Sequence, residues 1–265
     1  MITRKSSFEI KRMREAGEIT ARILSRVAQA IKPGITTQEL DDLAEAAARE
    51  FGVKPAFKGY QGFPASICVS VNDQVVHGIP GPRRLEPGDI VGLDFGVVYQ
   101  GYYGDAALTV AVGEIAPVHR KLLTVTQESL WKGLAQARAG NRVSDISRAI
   151  QEYVEKNGFS VVRDFVGHGI GQAMHEEPQV PNFVDPAWTG FDPVLKPGMT
   201  LAIEPMVNAG AVEVKIDRKD RWTVRTVDGS YSAHFEHTVL VTEGEPEVLT
   251  KVTTPAGETG GLIQW

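Results

Sequence analysis

The apolar positions of the N-terminal stretch recur at helical spacing. Ile10, Met13, Ile23, Val27 and Ile31 follow the run Ser6-Ser7-Phe8-Glu9, which resembles a capping box, and Pro33-Gly34 closes the pattern. A second helix is predicted from Thr36, again with a glutamate three positions on, through Leu40, Leu43 and Ala47 to Gly52. After it the period drops to two. Ser66 to Val71 reads as a strand, and Asp89 to Val98 with Tyr102 to Val112 reads as a β-hairpin turning near Tyr99-Gln100-Gly101. The order then repeats, with helices predicted from Pro117 to Gly140 and from Ser144 to Gly158. Strands are predicted at Ser160 to Phe165, Met199 to Asn208, Trp222 to Val227 and Ser230 to Val241. Two helices and then sheet, twice over, point to a duplicated unit: one domain over residues 1–249, with similar halves at about 7–112 and 117–242. From residue 250 the chain turns polar and glycine-rich, and 250–265 is expected to be a flexible tail.

Composition narrows the class. The chain has 265 residues, 42% hydrophobic and 23% charged, with a net charge of -5, as in an ordinary soluble protein. No basic excess suggests nucleic acid, and no apolar run approaches the ~18 residues of a membrane span. The first residues lead straight into a charged helical pattern without the apolar core of a secretory leader, and the single cysteine, Cys68, leaves no internal disulfide. A reducing, cytoplasmic setting is therefore expected.

Four acids stand out because they sit in apolar strand patterns. Asp94 and Asp105 lie at nearly equal distances from the hairpin turn, so pairing brings them opposite or diagonal to each other, depending on register. Like charges facing each other in a sheet destabilise it, and a cation between them reverses that sign. Glu204 in "MTLAIEPMVN" and Glu236 in "SAHFEHTVLV" repeat the oddity in the second half. Each acid alone reads as a charge on an edge strand; together that reading must hold four times at matched places. Four carboxylates plus an imidazole make an oxygen-rich donor set suited to Mn, Fe(II), Co or Zn, and two divalent cations balance the four charges. The arrangement points to a two-metal hydrolase.

The segment "GHGIGQAMHEEP" holds two of the six histidines, His168 and His175, among Gly167, Gly169 and Gly171. It lacks the third glycine of a dinucleotide loop, with Gln172 in that place, and Gln179 replaces the second histidine of an HExxH zinc helix. No GxSxG or phosphate loop occurs. His77 alone reads as a loop residue before Gly78-Ile79-Pro80-Gly81.

Taken as a set, these motifs closely resemble type I methionine aminopeptidases, the short bacterial form of the pita-bread metallopeptidases of family M24. The resemblance rests on Asp94 and Asp105 eleven apart, "GHGIG", "HEEP", "IEP" and "EHT", and runs from residue 8 to about 248. It implies an α+β pita-bread fold, with a pseudo-twofold central antiparallel sheet covered by helices. It also implies two metals, held by Asp94, Asp105, His168, Glu204 and Glu236, with Asp105 and Glu236 bridging. The implied reaction removes the N-terminal methionine from nascent polypeptides with a small second residue, by attack of a metal-activated hydroxide. Glu204 would accept a proton, and His77 and His175 would contact the scissile amide. Phe57, Tyr60, Phe63, Cys68, Met174 and Trp222 match the pocket for the methionine side chain. Some members carry Cys, His and Phe where this chain has Phe57, Gln61 and Met174, so fine preference is expected to differ. Glu176 and Glu177, which alone could pass for further ligands, then read as loop residues positioned by Pro178, and the glycines let the backbone bend beside the site. A monomer acting on nascent chains, with any ribosome contact made by the main body, completes the expectation. Two alternatives stay open: a proline-specific peptidase of the same fold, and a metal-free peptide-binding relative.

Overall fold

The computed structural model describes residues 2–185, 187, 190–253 and 259–260. Both predicted capping boxes form. The Ser6 hydroxyl accepts from the Glu9 amide and the Glu9 carboxylate accepts from the Ser6 amide at 2.8 Å, opening α1 (Ser7–Gln29). Thr36 and Glu39 do the same for α2 (Thr37–Glu50), at 3.1 and 2.7 Å. Strands β1 (Lys54–Pro55), β2 (Cys68–Val71), β3 (Ile90–Tyr99) and β4 (Tyr102–Ala111) complete the first half. The second begins with α3 (Pro117–Leu134), which has proline in its first turn, and α4 (Val143–Lys156). Strands β5 (Ser160–Val161), β6 (Gly167–Gly169), β7 (Glu176–Val180), β8 (Thr200–Ile203) and β9 (Met206–Asn208) follow. Then come β10 (Val214–Ile216), β11 (Val224–Thr226), β12 (Ser232–His234), β13 (Glu236–Leu240) and β14 (Glu247–Val248).

The central sheet has nine strands, all paired antiparallel, in the order β1-β3-β4-β13-β8-β6-β7, with β2 also on β3 and β14 on β13. Its middle seam is β4 against β13, where the hairpin of the first half meets the second. Helices cover one face. Ile23, Leu24, Leu40, Leu93, Phe95, Leu108, Ile146, Ile150, Leu201 and Val239 are fully or almost fully buried in one cluster between helices and sheet, each worth ~1.5–3 kcal/mol when removed from water. Contact is close enough to need glycine: a Cβ on Gly104 would lie 2.8 Å from the Ala16 backbone of α1. No helix among the described residues is long and apolar enough to cross a membrane.

Several predicted elements are shorter than their patterns. The run Met199 to Asn208 is two strands, β8 and β9, broken at Glu204-Pro205, and Ser230 to Val241 is β12 and β13, broken at Phe235. Proline has no amide to give the ladder, and the Phe235 amide reaches the Pro205 carbonyl at 3.4 Å, so both breaks fall side by side. Through them the chain passes between the central sheet and a three-stranded sheet of order β12-β9-β5. Glu204 therefore lies at a strand break rather than inside a strand. Helix α3 stops at Leu134, because Arg138 and Asn141 side chains take the carbonyls of Ala135 and Gln136 and the Gly140 amide bonds to Leu195. Helix α4 starts at Val143, one residue early, with the Arg142 amide capped by Asp145 at 2.8 Å.

The expected tail from residue 250 is contradicted at its first position. Thr250 is fully buried, and its hydroxyl meets His237 Nδ1 at 2.9 Å and the Thr238 amide at 3.1 Å. Val252–Thr253 pairs with Thr259–Gly260; residues 254–258 and 261–265 lie outside the described residues.

Candidate metal centre and substrate cavity

The five predicted ligands arise from two adjacent rows across one face of the central sheet. The β3–β4 hairpin closes through Gln100 (φ 50°) and Gly101 (φ 83°), a two-residue turn with both φ positive. That turn fixes the register: Asp94 opposes Ala107, and Asp105 opposes Gly96. The two aspartates are thus diagonal neighbours on the same face. Ala107 in turn opposes Glu236 on β13, so Cys68, Asp94, Ala107 and Glu236 form one row over four strands. In the next row Gly96 faces Asp105, whose backbone amide and carbonyl bond the Thr238 hydroxyl at 3.2 and 2.8 Å, and Thr238 opposes Ala202, which opposes His168. Glu204 extends the parity of Ala202 just past the end of β8. Small residues sit between the ligands: a Cβ on Gly96 would stand 3.2 Å from Asp105 Oδ1.

The residues meet at close range. Asp105, His168 and Glu236 each offer a ligand atom within 4.8 Å of the others, and His168 Nε2 is 3.5 Å from Glu204 Oε1. A carbonyl oxygen can only accept, so the 2.8 Å contact of His168 Nδ1 with the Gly169 carbonyl places the ring proton on Nδ1 and leaves the Nε2 lone pair facing the acids. Burial pushes the His168 imidazole down to about 4, with the neighbouring His175 ring adding to the shift, so it is neutral at pH 7.

Electrostatics makes this cluster untenable as bare carboxylates. Burial, and then the charge of Asp105, pushes Asp94 well above the usual carboxylate range; burial raises Asp105 to about 7. Glu204 and Glu236 are also raised, by burial first and the neighbouring acids second. Asp94 Oδ1, Asp105 Oδ1 and Glu236 Oε1 are buried without a hydrogen-bond partner, which costs free energy unless something else binds them. Among the described residues lining the surrounding cavity there is no lysine or arginine to balance them. Four carboxylate groups and one free imidazole nitrogen fit a divalent cation.

The cage opens into a cavity of about 350 Å³ lined by all the residues expected from the sequence: Phe57, Tyr60, Phe63, Cys68, His77, Met174, His175 and Trp222 beside the five ligands. Phe63 packs edge-on against Trp222, with ring centroids 5.2 Å apart. His77, in the left-handed backbone region at φ 59°, stands edge-on to both Phe165 and Trp222. Burial lowers it to about 4. His175 lies across the cavity, 4.3 Å from the His168 ring, and its Nδ1 meets the Tyr60 hydroxyl at 2.7 Å. Val76, Phe165, Val166 and Met206 also line the wall and were not expected. In the sequence they read only as apolar strand or core positions, and nothing in their pattern marks a cavity.

The glycine-histidine segment differs from expectation in two ways. Gly167, Gly169 and Gly171 have no positive φ; they are glycines because other groups occupy the space a side chain needs. A Cβ would lie 2.4 Å from the Ala202 carbonyl at Gly167, 2.3 Å from the Glu177 carbonyl at Gly169, and 2.5 Å from Lys5 Cε at Gly171. Glu176 and Glu177 are not loop residues but open β7, and Glu176 is held by four hydrogen bonds.

Residues 11–243 match metallopeptidase family M24. Over 252 residues the chain is 54% identical to methionine aminopeptidase 1 of Bacillus subtilis, covering 95% of this chain and 100% of that one. It is 52% identical to the methionine aminopeptidase of Clostridium perfringens, again over 95% and 100%. The crystal structure of methionine aminopeptidase from Thermotoga maritima superposes with a TM-score of 0.90 at 49% identity, covering 94% of this chain and 99% of that one. The Xaa-Pro dipeptidase of Bacillus anthracis superposes at 0.74 with 26% identity, and the match spans only 61% of that longer chain. Because the matched span takes in every acid of the cage and both histidines beside it, the chain belongs to metallopeptidase family M24.

Proposed function

We propose that the chain is a methionine aminopeptidase that frees the N-terminal methionine of nascent polypeptides with a small second residue. The observation that carries this reading is the juxtaposition of a buried four-carboxylate, one-imidazole cage with an aromatic and thioether-lined cavity. Residues 1–249 act as one catalytic domain of two similar halves. Asp94, Asp105, His168, Glu204 and Glu236 would hold two divalent cations, whose four positive charges offset the four carboxylates; Co, Mn, Fe and Zn all suit the donors. Bound there, such ions supply Lewis acidity and lower the pKa of water to the neutral range.

The chain's own groups supply the rest. Glu204 sits at a strand break, next to His168, and accepts the proton of the attacking water, then returns it to the departing amine. His77 is neutral at pH 7, so it donates a ring N–H to the carbonyl oxygen where negative charge develops. His175, with its Nδ1 engaged by the Tyr60 hydroxyl, presents Nε2 for the same purpose. Phe57, Tyr60, Phe63, Cys68, Met174 and Trp222 accept the unbranched thioether of methionine, which suits aromatic edges and sulfur. The enzyme works as a cytoplasmic monomer on chains emerging from the ribosome.

A peptide panel tests the assignment. Metal-dependent release of methionine from Met-Ala-Ser, with Xaa-Pro peptides left intact, is the expected result. Cleavage beside proline with Met-Ala-Ser untouched would assign the chain to the proline-specific branch. Binding of peptides without hydrolysis or metal would mark a non-catalytic relative.

A further inference from the structure

Glu176 is the residue after His175, and it is tied to the far N-terminus of the chain. Its Oε1 accepts from the backbone amides of Gln172 and Ala173 at 2.9 and 3.2 Å, closing the loop that carries Met174 and His175. Its Oε2 accepts from Lys5 Nζ at 2.6 Å and from the Thr3 hydroxyl at 2.7 Å, while that hydroxyl accepts from Lys5 Nζ at 2.6 Å. The Lys5 side chain is 5% exposed and that of Glu176 16%, so this is an ion pair largely out of water. Burial alone would raise the Glu176 carboxyl, but the bonds from Lys5 and Thr3 more than offset it and hold it below the usual range.

The N-terminal segment is itself fixed at both ends of this contact. The Lys5 amide donates to the Gly198 carbonyl at 2.7 Å and Arg4 Nε to the Pro197 carbonyl at 2.8 Å, before Ser6 caps α1. Gly171 is part of the same fit, since a Cβ there would lie 2.6 Å from Glu176 Oε1 and 2.8 Å from Lys5 Nζ. On the other side of the loop the His175 ring is held by the Tyr60 hydroxyl. His175 is thus held from two sides, its ring by Tyr60 and the loop that carries it by Glu176 through the Gln172 and Ala173 amides.

Resting on the function proposed above, we propose that Lys5 and Glu176 are positioning residues for His175: the N-terminal segment is a strut that sets the catalytic loop. Neither side chain reaches the cavity, and neither belongs to the metal cage. Removing the ammonium leaves a buried carboxylate without its cation, the unfavourable half of a broken ion pair. The loop then relaxes, and the imidazole leaves the alignment on which its catalytic contribution depends.

The test uses full-length Lys5→Met and the double variant Lys5→Met/Glu176→Gln. In the double variant the buried charge is gone while a side-chain carbonyl still accepts from the Gln172 and Ala173 amides. For Lys5→Met the expected result is a fall in kcat on Met-Ala-Ser on the order of 100-fold, the scale of a 1 Å misplacement, with KM and bound Mn(II) as in wild type. In the metal-free protein, hydrogen exchange at the Gln172 and Ala173 amides should accelerate. The double variant should recover most of the lost kcat and of the exchange protection. A wild-type kcat in Lys5→Met, a loss that tracks loss of Mn(II), or a double variant as slow as the single would each overturn the proposal. The exchange measurement does not depend on turnover. Inactive wild-type protein with these amides protected by the strut would sink the functional reading alone, whereas unchanged exchange in Lys5→Met would sink the strut alone.

Discussion

Asp105→Asn should stabilise the protein without metal and destabilise it with metal, a reversal that only a charge-driven cage produces. Burial raises the Asp105 carboxyl from 3.8 to about 7, so between those pH values the folded state keeps a proton that the unfolded chain has lost. For a raised acid, stability is highest below the unfolded pKa and falls as pH climbs toward the folded one. The shift of about three units corresponds to ~4 kcal/mol, accumulating at ~1.4 kcal/mol per pH unit and levelling off above about pH 7. Asparagine has nearly the same shape and no proton to lose. The advantage of the variant over wild type in metal-free protein should therefore be small near pH 4 and grow to ~4 kcal/mol or more by about pH 8, since the Asp105 charge also raises Asp94, Glu204 and Glu236 and its removal adds in the same direction. The buried histidines shift in the opposite direction, His168, His77 and His237 to about 4 and His234 to about 3. They are present in both proteins, so they cancel in the difference. Urea unfolding of chelator-treated wild type and variant across this range reads the difference directly. With Mn(II) present, the order should invert, because the variant has lost a ligand. An advantage that stays constant with pH, or that grows as pH falls, would refute the reasoning.

Three further substitutions probe other parts of the site. His77→Asn should keep its metal and lose about 100-fold or more in kcat, as expected for removal of a donor to a developing oxyanion; unchanged kcat, or metal loss, would remove His77 from that role. Trp222→Ala, which strips the edge-on partner from Phe63 and His77, should raise KM for methionyl peptides about tenfold, equivalent to ~1.4 kcal/mol of lost contact. Its kcat should move less, and a pure kcat effect would contradict a binding-pocket role. Gly169→Ala forces a Cβ to within 2.3 Å of the Glu177 carbonyl and should cost about 3 kcal/mol or more by thermal unfolding; a near-neutral effect would show that β6 and β7 have more room than their contacts imply.

What the sequence made legible were features whose cause is local. Ser6 and Thr36 cap their own helices with the glutamate three residues on, and the hairpin turn near Gln100-Gly101 put Asp94 and Asp105 opposite or diagonal to each other; the two-residue turn of the structure makes them diagonal. Acids in apolar runs were conspicuous because water and the sheet both disfavour them there. Other features depend on partners distant in sequence. The break at Glu204 is visible only as a proline, whereas the matching break at Phe235 exists because that amide bonds to Pro205. Gly167 and Gly169 look like turn glycines but are narrow points under carbonyls of neighbouring strands. Glu176 is paired with a lysine 171 positions away, and no local pattern announces such a contact. The end of α3 at Leu134 is likewise set by side chains and a backbone partner beyond the helix, since Ala135 to Ala137 carry no stop signal.

Anomalous diffraction from crystals of the protein loaded with Mn(II) bears most directly on the central claim, that two rows of one sheet face build a dinuclear cage beneath a methionine pocket. Two anomalous peaks among Asp94, Asp105, His168, Glu204 and Glu236 are predicted, both lost in Asp105→Asn crystals or reduced to one. An absence of metal at these five residues, or Mn(II) bound elsewhere in a protein that still releases methionine, would contradict it.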